Sequence, residues 1–331
     1  MLKFNAVVLT TTNLCNLRCR HCFPSSGPSK EEMYRYGSNK SMSPQQAEVY
    51  VRQIPQLKNV EKLLHLAGGE STLFKNEFKA IISLGKKYGL RVSMVTNCSW
   101  AKSQEEADNF VEDWAQHGMM SVQMSVSKFH QEQLPIGHVI RAIRACKKFG
   151  VLVIVRPIII KSYIAADILK GIPTDVLDGV RIATSKCQAV GRARVQVSED
   201  DFFYDDLAYL GCHHALNLTI RQDGSVYPCC AGSDITDSLC LGNADKEPLA
   251  DIITRAELDP LLNILVFQGT RYLAEILRDY KGIDFTKKRY TNICELCNDM
   301  FLDNNIAREL RLAVMEHLRK KEAEQLSFQP A

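Results

Sequence analysis

Twelve cysteines stand in a chain of 331 residues, and seven of them fall into two spaced sets. The first is Cys15-Asn-Leu-Arg-Cys19-Arg-His-Cys22. Three thiolates so close together can hold one face of a metal cluster, and soft thiolates suit zinc or iron–sulfur. In a [4Fe–4S] cube, three ligands leave one iron with no protein ligand, where a small molecule can bind. The other readings are a zinc site completed by His21 and unliganded thiols. The second set is Cys212 and Cys229, with Gly224 between them, followed by Cys294-x-x-Cys297. Four thiolates complete either a tetrahedral zinc site or a cubane, and spacing does not choose between them. Cys230 directly follows Cys229. Neighbours on a strand point to opposite faces, so one cysteine of that pair is spare. The apolar stretch at residues 4–9 is too short for a secretion signal and runs straight on towards Cys15. A reducing, cytoplasmic setting is therefore expected, and disulfides are a poor explanation for the cysteines.

Strands and helices must bring these residues together. Residues 4–12, 62–67, 91–96, 120–126, 151–160 and 180–184 read as strands. Helices alternate with them. Ser43 caps one, with Pro44 at its first position. A second covers residues 76–88. A third, 103–117, carries Ala107, Phe110, Val111, Trp114 and Ala115 on one face, with Ser103 and Glu106 as a capping box. A fourth carries Val139, Ile140, Ile143, Cys146 and Phe149. Six β-α repeats imply a parallel sheet with helical crossovers, and since eight close a barrel, six give an open one. Catalytic residues of such a barrel lie at the C-terminal strand ends. The first cysteine set follows strand one there, Gly68-Gly69-Glu70 follows strand two, Thr96-Asn97-Cys98 strand three and Ser125-Val126-Ser127 strand four. Arg156 interrupts an apolar fifth strand, where a buried guanidinium requires a partner.

Beyond about residue 200 the pattern changes. An acidic stretch at 198–206 precedes a hairpin, 215–221 and 225–227, turning at Gln222-Asp223-Gly224. Helical segments follow, and a last helix over 304–325 ends in a charged, solvated run. Two domains are expected, 1–205 and 206–331. The 41 Lys+Arg against 38 Asp+Glu give a net charge of +3 and no electrostatic case for nucleic acid. No apolar run approaches the roughly 18 residues of a membrane span.

Taken in order, these motifs resemble the radical S-adenosylmethionine (SAM) superfamily. CNLRCRHC matches its cluster motif, and Gly68-Gly69-Glu70 resembles its GGE motif. Cys98 stands where Thr-Asn-Gly is usual, Ser127 departs from a common Ser-Ile-Asp, and Gly191-Arg192-Ala193 is familiar from this family. The resemblance implies an α/β fold, a partial (β/α)6 TIM barrel. It implies a SAM-binding [4Fe–4S] cluster on Cys15, Cys19 and Cys22, and SAM held by Gly68, Gly69 and Glu70, with Asn97, Ser125 and Arg156 as further contacts. Two glycines allow close backbone approach, and a carboxylate complements the methionine ammonium. An electron donor such as flavodoxin or ferredoxin is implied as a partner.

The Cys212, Gly224 and Cys229 spacing resembles the start of the family's C-terminal SPASM domain. No cysteine follows Cys297, so the shorter twitch version is implied, a β-hairpin plus helices with one auxiliary [4Fe–4S] cluster on Cys212, Cys229, Cys294 and Cys297. SVYPCC, NICELC and SKFHQ resemble radical SAM peptide epimerases, in which the second cysteine of the pair quenches a peptide Cα radical. That makes Cys230 the hydrogen donor and a ribosomally made peptide the substrate, inverted from L to D. The alternatives are oxidation of a small alcohol or amine, as in aminocyclitol dehydrogenases, and peptide cross-linking, with the auxiliary cluster as electron acceptor. A non-catalytic metal scaffold is the reading outside enzymes. The chain opens on its first strand, so no separate leader-binding domain is expected. His130 is read as a surface or capping residue and His213-His214 as non-ligands. Cys98 is expected near the active site; Cys146, Cys187 and Cys240 are read as structural.

Overall fold

A computed structural model of the chain describes residues 2–33, 40–205, 211–212, 216–230, 236–286 and 288–327. Asp206, His213, His214 and Ala215, all weighed above, lie outside the described residues.

Six strands run parallel in chain order: β1 (Ala6–Thr12), β2 (Leu63–Gly68), β3 (Arg91–Thr96), β4 (Met119–Val126), β5 (Leu152–Ile159) and β6 (Arg181–Ile182). Helices Pro44–Val51, Lys75–Lys87, Gln104–His117 and Gly137–Lys148 make the crossovers. Each begins or packs for a local reason. Ser43 accepts a hydrogen bond from the Gln46 N–H, with Pro44 at the first position. Ser103 accepts from the Glu106 N–H at 3.1 Å, which is the Ser103 half of the expected box. Phe78, Ile81, Ile82, Val111, Trp114, Val139 and Ile143 bury their helical faces against Val7, Leu9, Leu64, Leu66, Val92, Met94, Val122 and Met124 of the sheet.

The alternate positions of the strands are different in kind. They include Thr10, His65, Ser93, Gln123, Ser125 and Arg156. A parallel strand packed on both faces is apolar throughout. Here the face away from the helices mixes these polar residues with Val8, Val95, Ile154 and Ile158, which suits a ligand chamber better than a core.

The sixth strand departs from the sequence reading. β6 pairs Arg181 and Ile182 with Ile154 and Val155, and the chain then steps, so that β7 (Ser185–Lys186) pairs with Ile158 and Ile159. The step carries residues 185–188 over the end of β5.

The hairpin forms as expected, from β8 (Asn217–Arg221) and β9 (Ser225–Tyr227), with Gly224 at φ +78° in the turn. Its docking is not legible in the sequence. β8 pairs in parallel with β1, from Ala6 opposite Asn217 to Thr10 opposite Arg221. With β10 (Gly242–Asn243), the sheet order is β10-β9-β8-β1-β2-β3-β4-β5-β6. The C-terminal segment therefore extends the barrel sheet. Leu218 and Ile220 of β8 are fully buried in the same apolar core as Leu261, Leu265, Leu273, Leu296 and Phe301 of the C-terminal helices. Across the seam, Tyr50 donates to the Asp245 carboxylate, and Gln46 Nε2 donates to the Gln222 carbonyl at 3.0 Å.

One sheet across the seam predicts shared unfolding. Leu218→Ala is expected to cost about 2–5 kcal/mol and to shift one cooperative urea transition of the whole chain. A separate, earlier transition of the C-terminal segment would contradict the shared sheet.

Candidate metal and cofactor site

The C-terminal strand ends surround a cavity of about 360 Å³. Cys15, Cys19, Cys22, Gly68, Gly69, Glu70, Asn97, Ser125 and Cys230 all line it. Arg156 stands one step behind, where its Nη1 donates to Ser185 Oγ, a lining residue, at 2.7 Å and its Nη2 to Gln123 Oε1 at 3.2 Å. Both partners are neutral. Arg156 also stands opposite Ser125 in the β4–β5 register.

The loop that bears the first three cysteines is clamped from the far side of the barrel. Gly191 sits at φ +56°, and a Cβ there would stand 2.0 Å from the Phe23 carbonyl oxygen, so glycine is required. The Arg192 N–H donates to the Cys22 carbonyl at 3.0 Å. Its guanidinium is buried and donates to the carbonyls of Cys19 and Ser26, at 2.8 and 2.6 Å, and to Glu32 at 3.1 Å. The Gly-Arg pair thus fixes the curvature of the cysteine loop.

The thiols fit a metal cluster. Cys15 Sγ accepts from the Leu17 N–H at 3.4 Å and from Asn97 Nδ2 at 3.6 Å. Burial, then the neighbouring Cys22, pushes the Cys19 thiol up to about 12. Burial and then Glu70 push Cys15 up as well. Such thiols stay protonated without a metal, and a coordinated metal deprotonates them outright. His21 stacks on Phe129 at 4.8 Å and meets His130 edge-on. The ligating atoms of Cys19, His21 and His130 lie within 4.8 Å of one another, a grouping that differs from the zinc alternative of the three cysteines with His21.

Glu70 ties the strand ends together. It is fully buried, and Oε1 accepts from Thr72 Oγ1 at 2.6 Å and Thr96 Oγ1 at 2.8 Å, while Oε2 accepts from the Asn97 N–H at 2.8 Å. Burial raises its pKa despite those hydrogen bonds. Its hydrogen-bond partners among the described residues are all neutral. Gly68 and Gly69 let the segment press on the end of β1. A Cβ at Gly69 would stand 2.1 Å from the Leu14 carbonyl oxygen, and one at Gly68 2.3 Å from that of Thr12.

Three expectations are corrected. Cys98 does not approach the cavity. It takes the left-handed conformation, φ +66°, at the position where the resemblance leads one to expect glycine, and its side chain is fully buried in the core. Cys187, read as structural, lines the cavity, because the step from β6 to β7 brings it over the strand ends. His130, read as a surface or capping residue, also lines it. The cap is Ser127, whose Oγ accepts from the His130 N–H at 3.2 Å and lies 2.8 Å from His130 Nδ1. Cys146 is buried in the core as expected, and Cys240 is exposed.

A second, small cavity is lined by Cys212, Cys229, Cys294 and Cys297 with the apolar side chains of Leu216, Leu262, Leu265 and Val266. Burial, then Cys229, pushes Cys212 up to about 12. Burial and the thiols of Cys229 and Cys212 push Cys294 and Cys297 up too. Four soft ligands in a closed apolar pocket fit a fully ligated metal centre. Cys230 points elsewhere: it lines the first cavity, and Asn217 Nδ2 donates to its Sγ at 3.7 Å. Adjacency alone showed that one cysteine was spare. Thr72 and Asn217 were missed, because hydroxyls and amides are too common to stand out without neighbours.

One titration is testable without cofactors. Burial, then Arg156, lowers His65 from 6.5 to about 4, and its Nδ1 lies 2.8 Å from Ser93 Oγ. The unfolded chain protonates this histidine first, so stability present above pH 6.5 is lost as pH falls towards 4. The loss is on the order of 2–3 kcal/mol. Urea denaturation across that window should show the slope, and His65→Gln should reduce it, leaving the share of His130, which burial also lowers to about 4.

Residues 9–170 match the radical SAM superfamily and residues 212–298 an iron–sulfur cluster-binding domain. YydG of Bacillus subtilis (strain 168), provisionally named for peptide biosynthesis, is 20% identical over 302 residues, 89% of this chain and 91% of its own. The GTP 3′,8-cyclase of Aquifex aeolicus (strain VF5) is 28% identical over 170 residues, 49% of each chain. The structure of native anSMEcpe with bound AdoMet shares the fold, with a TM-score of 0.59 over 98% of this chain and 100% of that one, at 16% identity. The first matched span holds Cys15, Cys19 and Cys22, and the second begins at Cys212 and ends just past Cys297. The chain belongs to the radical SAM superfamily: it is an enzyme that binds SAM and iron–sulfur clusters and carries a C-terminal cluster-binding domain.

Proposed function

We propose that this enzyme inverts a Cα centre, from L to D, in a ribosomally made peptide, with Cys230 as hydrogen donor. The observation that carries the reading is the division of an adjacent pair: Cys229 lines the closed cysteine pocket, and Cys230 lines the cavity of Cys15, Cys19, Cys22 and Glu70. The similarity to YydG, named for peptide biosynthesis, supports a peptide substrate.

In this reading Cys15, Cys19 and Cys22 hold the SAM-binding [4Fe–4S] cluster, and Cys212, Cys229, Cys294 and Cys297 hold the auxiliary one. Glu70, a buried carboxylate with no cationic partner among the described residues, receives the methionine ammonium beside Gly68 and Gly69. Ser125 and Arg156, register neighbours on β4 and β5, suit the carboxylate, since Arg156 has only neutral hydrogen-bond partners among the described residues. Asn97 bridges this pocket to Cys15. When bound and reduced by a donor such as flavodoxin or ferredoxin, these groups supply a 5′-deoxyadenosyl radical that takes hydrogen from one face of the substrate Cα.

The Cys230 thiol delivers hydrogen to the other face. Its S–H bond breaks as the new Cα–H bond forms. The thiyl left behind regains one electron from the same donor and one proton from solvent. The neutral polar side chains that line the cavity, among them Asn97, Ser125, Ser185 and Gln188, suit the amides of an extended peptide. The work takes place in the cytoplasm, where thiols stay reduced.

Anaerobic reconstitution tests this. About eight irons per chain are expected from two cubanes. With a ribosomally made precursor peptide as substrate, product mass should be unchanged in H2O, and one deuterium should enter the inverted residue in D2O. Cys230→Ala should still form 5′-deoxyadenosine but no epimer. Full epimer from that variant would sink the proposal, and a product two hydrogens lighter would point to dehydrogenation or cross-linking.

A further inference from the structure

We infer that the Thr270 hydroxyl, with the first turn of helix Thr270–Lys281, forms a hydrogen-bonding cap on the auxiliary cluster and favours its reduced state. The inference rests on the proposed ligand set of Cys212, Cys229, Cys294 and Cys297.

Thr270 is 1% exposed, and its Oγ1 is buried with no hydrogen-bond partner among the described residues. Buried hydroxyls are rarely left so. The residue lines the same pocket as the four cysteines, whose remaining wall is largely aliphatic: Leu216, Leu262, Leu265 and Val266. The sulfur atoms of the four cysteines are acceptors that this pocket presents. The backbone adds a second source of donors. Thr270 is the first residue of a 12-residue helix, and the residue before it is Gly269, at φ +91°, which provides no side-chain cap. The first-turn N–H groups and the positive end of the helix dipole therefore meet this side of the pocket.

A cubane with four thiolates is an anion, and one-electron reduction adds a further negative charge. Donors and a helix N-terminus stabilise the more negative state, and hydrogen bonds to cluster sulfur are a recognised control on potential. Thr270 acts as a positioning residue for the auxiliary cluster and takes no part in bond making. Valine in its place keeps the shape and removes the donor.

The test uses the full chain with Cys15, Cys19 and Cys22 all replaced by alanine, so that only the auxiliary centre loads. Its midpoint is read by EPR-monitored redox titration, with Thr270→Val and Thr270→Ser built on the same background. Thr270→Val is expected to shift the reduction equilibrium about tenfold towards the oxidised state, or 59 mV for a one-electron couple. Thr270→Ser should stay close to the parent. The apo form of Thr270→Val should melt no lower than the parent, because it loses an unpaired hydroxyl. Loss of the cluster from Thr270→Val but not from Thr270→Ser also supports the cap. A Thr270→Val midpoint equal to the parent overturns it, as does equal destabilisation of apo and loaded forms, which marks a packing role. Absence of any auxiliary cluster in the parent instead overturns the four-cysteine ligand set, and the inference with it.

Discussion

A single buried carboxylate organises the catalytic end of this barrel. Glu70 gathers hydroxyls from Thr72 and Thr96 and the backbone N–H of Asn97, and so locks the end of β2 to the end of β3. Asn97, held in turn, extends its amide to Cys15 Sγ. The carboxylate, the strand ends and the first cysteine therefore form one connected unit. Burying an anion this completely is costly unless its oxygens are satisfied. The two glycines before it make the burial possible, because any side chain there would collide with the carbonyls of Thr12 and Leu14.

The cysteine loop needs a second restraint, and it comes from the opposite side. Gly191 and Arg192 follow the stepped sixth strand and grip the carbonyls of Cys19, Cys22 and Ser26. Ridges on both sides thus hold a loop with little secondary structure of its own. The same step swings Ser185 and Cys187 over the cavity and gives Arg156 its hydroxyl partner. The irregularity of the last strands is what closes the chamber.

The seam between β1 and β8 relates the two thiol pockets. Because β8 joins the barrel sheet directly, the hairpin is oriented by the ladder that also orients the first cysteine loop. Past the end of β9, consecutive residues then face different pockets, Cys229 the closed one and Cys230 the open one. In the proposed reaction this places a thiol and a closed metal centre as immediate chain neighbours, with Asn217 of β8 holding the thiol.

Much of this was legible in the residues. Thiol spacing is a local property within Cys15–Cys22 and within Cys294–Cys297, and it marked both clusters of thiols, while Cys212 and Cys229 stood out by flanking a hairpin. Period-two and helical patterning marked five of the six barrel strands and their crossovers, because side-chain burial follows those periods. What the sequence could not decide depends on contacts between distant segments. Cys98 and Cys187 are chemically identical, yet one is buried in the core at a positive φ while a strand step exposes the other to the chamber. The pairing of β8 with β1, the partners of Glu70 and the unpaired hydroxyl of Thr270 belong to the same class. Each is set by which residues from far along the chain arrive within about 3 Å, and no local pattern records that distance.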